Sequence, residues 1–234
     1  MPHLWKGSVL RAIAGIEGGA PSVAIYDDSA DQRLFYNSQR LIPAGQFAAL
    51  PALWNLCERI DSGELSAQGK LPFGKTFDET AAEIVAGNAE TLNALMDFLG
   101  FDGVSAAAKR AGMEDTEVHL PVGAEGAEKS NLTCAGDAAV FFRNLVRHQG
   151  LSEQSCARLV KAFSGNAETG KYAVAGVPLA HLSASMPGCE YDAGIFFPDG
   201  EAPLVAATMT ILLTSRQKGL ELCEKMARAL AGKE

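Results

Sequence analysis

Apolar positions along this chain keep changing their period, and the changes mark out its parts. The opening stretch MPHLWKGSVLRAIAGIEGG interrupts its apolar residues with Lys6 and Arg11, which predicts a short amphipathic helix instead of a signal segment. In SVAIYDDSADQRLFYN the period drops to two. Ser22 to Tyr26 and Arg33 to Tyr36 read as strands around the polar turn Asp27 to Asp31, a β-hairpin. From Pro43 to about Phe163 every strongly periodic segment reads as helix. Phe47, Leu50, Leu53, Trp54, Cys57 and Ile60 recur at helical spacing, although Pro51 among them is expected to kink the helix. Thr76 and Glu79 form a T-x-x-E capping box, and Leu92, Leu95, Met96 and Leu99 make the next stripe, stopped by Gly100. Asp102, Thr133 and Ser152 are the predicted caps of three further helices, the last two ending near Gly150 and Gly165.

Past Gly176 the period returns toward two. VPLAHLSASM, EYDAGIFF and APLVAATMTILL read as strands, the last two joined by the turn Pro198, Asp199, Gly200, and an amphipathic helix from about Ser215 to Leu230 closes the chain. Strands at both ends with helices between predict an α+β fold: a five-stranded antiparallel sheet formed by both termini and flanked by helices, with an inserted all-helical subdomain. Residues 1–42 plus 165–234 then make the sheet subdomain, and residues 43–164 the helical one. No internal repeat or low-complexity linker breaks this plan.

Composition narrows the partners. A formal net charge of −8 repels nucleic acid and anionic membrane surfaces. No apolar run approaches the roughly 18 residues that span a bilayer, so a soluble protein is expected, cytoplasmic as the sequence stands and exported if a leader has been removed. Cys57, Cys134, Cys156, Cys189 and Cys223 have no C-x-x-C spacing and sit in apolar patterns, which reads as buried reduced thiols. His3, His119, His148 and His181 share no ligand spacing, so neither a metal nor a cofactor is expected.

The segment RLIPAGQFAALPALWNLCERI runs from a strand end into a helix too apolar for a surface, and its first turn carries no nucleophile, base or charge. The order of helix, hairpin, helical insertion, three strands and final helix, with RLIPAGQF directly after the hairpin, resembles the penicillin-recognising serine hydrolases, class A β-lactamases and D-Ala-D-Ala peptidases. LNALMDFLGFDGVSAAAKRAGMEDTEV, NLTCAGDAAVFFRNL and LAHLSASM...YDAGIFFPDGEAPLVAATMTI are similar to family landmarks in the same order, so the resemblance covers nearly the whole chain.

The family acylates a serine in S-x-x-K, where the spacing puts hydroxyl and amine on one helical face. By register the motif falls on Gly45, Gln46, Phe47 and Ala48. Its S-D-N motif falls on Gly87, Asn88 and Ala89, or one residue earlier on Ala86, Gly87 and Asn88, with Asn93 matching a following asparagine; Asn88 by itself reads as a helix N-cap. Its K-T-G motif, which carries a cation for the substrate carboxylate, falls on Leu182, Ser183 and Ala184 after His181. The loop that holds a deacylating glutamate in class A enzymes lies near LPVGAEGAEKSN, where Glu125 and Glu128 read as solvated acids.

With all the motifs degenerate, the resemblance implies a catalytically silent protein, no longer an enzyme, that acts by binding, assembly or regulation. Loss of such a nucleophile costs on the order of a million-fold in rate. The alternative is a serine hydrolase with a relocated nucleophile, Ser183 or Ser185, using His181 as base, since alternate strand residues share a face and these would face the family's cleft. Asp192 reads as a turn or sheet-edge group. The candidate cleft-lining set is Gln46, Asn88, Asn93, His181, Ser183 and Ser185. With Leu182 in the cation's place, the expected ligand is a neutral small molecule, a protein partner, or a peptide segment added along Ala180 to Met186.

Overall fold

A computed structural model describes residues 5–124, 130–165, 170–173 and 177–232. After helix α1 (Trp5–Ala14) come strands β1 (Ala20–Asp27) and β2 (Gln32–Tyr36), paired as the predicted hairpin. A short strand β3 (Ile42–Pro43) leads into a 3₁₀ turn at Gly45–Ala48 and helix α2 (Ala49–Asp61). Helices α3 (Phe77–Val85), α4 (Ala89–Leu99) and α5 (Phe101–Arg110) follow. The short strand β4 (Leu132–Thr133), antiparallel to β3, precedes α6 (Ala135–Arg147) and α7 (Glu153–Ser164). Strands β5 (Leu179–Met186), β6 (Cys189–Phe196) and β7 (Leu204–Ile211) and helix α8 (Arg216–Leu230) complete the chain. The five long strands form one antiparallel sheet in the order β2-β1-β7-β6-β5, so both chain ends build it and β5 is an edge. None of the described helices is long and apolar enough to cross a membrane.

Alternation along the strands sends side chains into two separate cores. Ala24, Tyr26, Leu182, Tyr191, Ala193 and Met209 pack with the helices between β2 and β5. Val23, Ile25, Leu179, Phe196 and Ala206 pack on the other face with Trp5, Val9, Leu222 and Met226 of α1 and α8. Burial of this apolar surface on both faces of the sheet supplies the main driving force for the fold.

Local chemistry accounts for most element boundaries. Thr76 and Glu79 form the predicted capping box, with Glu79 Oε2 accepting from Thr76 N at 2.8 Å. Ser152 caps α7 and is itself tied to the end of α2 by Asp61, whose carboxylate accepts from Ser152 N, Ser152 Oγ and Ser155 Oγ at 2.6–2.7 Å. Two expected caps move. α5 starts at Phe101, after Gly100, so Asp102 lies inside its first turn. α6 is capped by Cys134, one residue past Thr133, with its sulfur accepting from Asp137 N at 3.4 Å. Pro51 does not interrupt a helix either. Because α2 begins at Ala49 after the 3₁₀ turn, Pro51 lies in its first turn, where a backbone N–H would have no acceptor within the helix.

Candidate functional site

Where the resemblance places the nucleophile's lysine and the anchoring cation, the side of the sheet turned to α2 holds apolar core residues, Ala48 and Leu182. Gly45 has φ +50°, and a Cβ built on it would lie 2.5 Å from Met186 Sδ, so the methionine occupies the space a side chain there would need. Phe47 is fully buried edge-on to Tyr191, ring centroids 5.9 Å apart, and Ala48 is buried beside it. Leu182 and Ala184 belong to the same core. The nearby amides are engaged within the fold. Gln46 Nε2 donates to Ile84 O at 2.8 Å, and Asn88 caps α4 by accepting from Thr91 N at 3.0 Å. Asn93 accepts from Val122 N at 2.7 Å and donates to Val122 O at 3.1 Å. Gly87, at φ +92°, and Ala89 flank the Asn88 cap. Glu125 and Glu128 lie outside the described residues.

His181, Ser183 and Ser185 do not join this set. They alternate with Ala180, Leu182 and Ala184 and therefore point to the opposite face, toward α8. The three residues expected to line a cleft thus lie on the sheet face away from Phe47 and Leu182. On the α8 face they meet charges that enter from three other elements. Antiparallel pairing of β5 with β6 sets Ser183 opposite Asp192 and Ser185 opposite Glu190. Asp192 is fully buried, and its Oδ2 accepts from Lys171 N and Tyr172 N, both at 2.9 Å, and from Ser183 Oγ at 3.2 Å. Its Oδ1 lies 2.8 Å from His181 Nδ1, so the imidazole is bound to a carboxylate. Glu190, 2% exposed, accepts from Ser185 Oγ at 2.7 Å and from Arg216 Nε at 2.8 Å.

Lys171 ties the cluster together. Its Nζ lies 2.9 Å from Ser183 Oγ, 2.7 Å from Ala184 O, 2.9 Å from Tyr191 O and 3.1 Å from Glu190 Oε2. The residue beside it fixes its position: Tyr172 is fully buried, and its hydroxyl meets Thr208 Oγ1 at 2.5 Å. Burial pushes the Tyr172 phenol far above its ordinary range, so it stays a neutral donor. Gly219 lets α8 come close, since a Cβ there would lie 2.8 Å from Glu190 Cβ. The result is a cavity of about 630 Å³ between the β5 edge and α8, with Lys171, Ser183, Ser185, Arg216, Leu220 and Arg228 among its lining residues.

Sequence reading named the two serines and missed Lys171, Glu190 and Arg216, and it gave Asp192 a turn role. The signal lay in CEYDAGIF, where two acids alternate within an apolar strand, and in the two-residue connection Pro187-Gly188, which pairs those acids with Ser185 and Ser183.

Asp115, Cys134 and Asp137 are the one group of three metal-capable side chains close together among the described residues. They do not form a prepared metal site. Asp137 Oδ2 accepts from Asp115 N at 2.9 Å and Thr116 Oγ1 at 2.7 Å, and burial pushes the Cys134 thiol up to about 12, leaving it protonated.

Comparison with known proteins agrees with this architecture. A model of the β-lactamase enzyme family matches residues 8–233. A β-lactamase from Sphaerobacter thermophilus superposes with a TM-score of 0.83 at 19% identity, covering 95% of this chain and 94% of that one. A β-lactamase from Chitinophaga pinensis gives 0.84 at 15% identity, with coverage of 97% and 98%. One from Burkholderia ambifaria gives 0.81 at 17%, with coverage of 96% and 97%. No curated protein matches the chain. The family match corrects the expectation of a protein that is no longer an enzyme: family and structural neighbours point to an enzyme, and emptied motif positions at one place in the fold are not evidence that catalysis is lost.

Proposed function

Since the chain belongs to the β-lactamase enzyme family, we propose that it is a serine hydrolase in which Ser183 is the nucleophile and Lys171 its base. The observation that carries the reading is the 2.9 Å contact between Lys171 Nζ and Ser183 Oγ on the wall of the cavity beside α8. The chemical pair the family uses, a serine with an amine in hydrogen-bond reach, is thus assembled from different elements. Ser185 has a carboxylate in reach and no amine at that distance, so Ser183 is the better nucleophile.

Proton balance follows from the contacts. An ammonium has three donors, and Lys171 Nζ has four acceptors within reach. With one ammonium proton released to solvent, the Lys171 amine is held by the Ala184 and Tyr191 carbonyls, and it accepts the Ser183 proton, the hydroxyl turning from Asp192 to Nζ, as Oγ attacks an acyl carbon. The leaving group takes that proton back from Lys171. Water then attacks the acyl-serine with the amine again as base, releasing the acid and restoring Ser183. Asp192, already bonded to Ser183 Oγ and to two backbone N–H groups, holds the serine's side of the site in place.

Intact-mass analysis after treatment with a fluorophosphonate tests the assignment. One adduct is expected, mapping to Ser183, absent in Ser183→Ala and lost in Lys171→Met variants whose circular dichroism matches the wild type. A folded protein that takes no adduct, or takes it at Ser185, refutes the reading.

A further inference from the structure

We propose that Arg216 anchors a carboxylate on the acyl part of the substrate, so that the site selects half-esters or half-amides of short dicarboxylic acids. This rests on the hydrolase reading above and names the substrate class of the same cavity. The expectation of a neutral ligand rested on the lack of a cation within the β5 sequence. The fold brings cations from elsewhere: Lys171, Arg216 and Arg228 line the cavity, and Glu224 is the one acid among its described lining residues, in a chain of net charge −8.

The three cations are not equivalent. Arg228 is bound to Glu224 through two nitrogens, at 2.7 and 3.0 Å, and Lys171 is enclosed by its acceptors. Arg216 uses Nε for Glu190 and reaches Ser185 Oγ with Nη2 at 3.5 Å; Nη1 has no partner among the described residues. A guanidinium offers five N–H donors in a planar fork, so most of this one is still available for a bidentate carboxylate. The side chain is 70% exposed, yet its Nε is pinned by a carboxylate that is 2% exposed. It is therefore oriented before any ligand arrives, which lowers the entropic cost of recognition.

Position sets the length of the acid. Ser183 and Ser185 are two residues apart on one strand face, a spacing of about 7 Å. Arg216 Nη2 is next to the second serine, so an anion held there sits about two or three methylenes from a carbonyl carbon at the first. Leu220 and Ala173 supply apolar wall for those methylenes. A four- or five-carbon diacid fits; a neutral chain of the same length leaves the guanidinium unpaired.

Two measurements test this. The first compares p-nitrophenyl hydrogen glutarate with p-nitrophenyl valerate. The wild type is expected to favour the glutarate in kcat/KM by about 10- to 100-fold, the range for one charge-assisted hydrogen-bonded pair. Arg216→Gln should bring the ratio near unity, Arg216→Lys should restore part of it, and Lys218→Gln, which removes a charge from the same helix outside the cavity, should leave the preference standing. The second needs no turnover: titration of monomethyl glutarate into Ser183→Ala, expected to saturate and to be abolished by adding Arg216→Gln. Arg216-dependent binding with no hydrolysis in the wild type keeps the anchor and refutes the hydrolase. Ser183-dependent hydrolysis of both esters at equal rates refutes the anchor and keeps the hydrolase. Absence of both binding and hydrolysis refutes both.

Discussion

Substitution of Gly45 by alanine probes the space that the family's nucleophile would occupy, and its cost can be divided into two parts. The first is backbone: an L residue at φ +50° costs about 1–2 kcal/mol. The second is steric. The new Cβ would lie 2.5 Å from Met186 Sδ and 3.0 Å from its Cε, but those atoms are the far end of a flexible side chain. Moving them off their rotamer adds about 1 kcal/mol. Gly45→Ala is thus expected to destabilise the protein by about 2–3 kcal/mol in urea unfolding at unchanged m value. Gly63 provides the control: it has φ +80° with nothing within 4 Å of a built Cβ, so Gly63→Ala carries the backbone part alone, about 1–2 kcal/mol. In a Met186→Ala background the steric part vanishes, so the double mutant should be about 1 kcal/mol more stable than the two single effects summed. Equal costs at Gly45 and Gly63 together with no coupling to Met186 would refute the idea that the methionine fills this place. The same geometry predicts that Gly45→Ser with Ala48→Lys creates no acylating site there, because the serine Cβ meets Met186 and the lysine starts from a fully buried position.

Two further predictions concern titratable groups. Under native conditions at pH 8, a disulfide-exchange reagent is expected to titrate one thiol, Cys189, which is half-buried; burial pushes Cys57 and Cys223 far up, Cys134 to about 12 and Cys156 to about 11. All five should react in denaturant, and rapid native reaction of two or more would refute the buried-thiol assignment. On the sheet's other edge, Arg143 on α6 forks onto Asp28 at 2.7–3.1 Å and stacks over Tyr26, and its hydrogen bonds hold the Asp28 carboxyl below the usual range against a smaller opposing effect of burial. A folded-state value below the unfolded one means the contribution is present above the unfolded pKa and fades as pH falls through the folded one. Asp28→Asn should therefore lose at most about 1 kcal/mol near pH 7, since the pair is partly exposed, and the gap to wild type should close below about pH 4. A gap that persists undiminished at pH 3 would show that it does not arise from the charge.

Element type was legible from periodicity, and the hairpin, the β5–β7 set and α8 lie where the period changed. Caps were legible where a hydroxyl or amide could do the work, at Thr76, Asn88 and Ser152, and were misplaced where a thiol or a glycine stood at the boundary, at Cys134 and Gly100. The two-residue ladder of β3 and β4 was not legible, because neither strand is long enough to show a period.

The candidate site failed to appear for a different reason. Matching K-T-G onto Leu182, Ser183 and Ala184 ties Ser183 to chemistry on the α2 face, because the motif is read as one unit. A strand does not keep neighbours together: Leu182 and Ala184 go into the core with Phe47 and Tyr191, and Ser183 goes through the sheet to Asp192 and Lys171. Pairing register is the constraint that respects this alternation. The short Pro187-Gly188 connection fixes Met186 against Cys189, and every second pair outward is then a serine opposite an acid, first Ser185 with Glu190 and then Ser183 with Asp192. Two buried acids side by side on one strand face require cations or converging hydrogen-bond donors, since an unpaired carboxylate costs several kcal/mol in such surroundings. Both cations meet Glu190, Arg216 from the start of α8 and Lys171 from the segment before β5, whereas Asp192 is held by His181 Nδ1, Ser183 Oγ and the backbone N–H groups of Lys171 and Tyr172. The register of SASMPGCEYD thus puts Ser183 beside the place where Lys171 comes in to meet Glu190, without reference to any family motif.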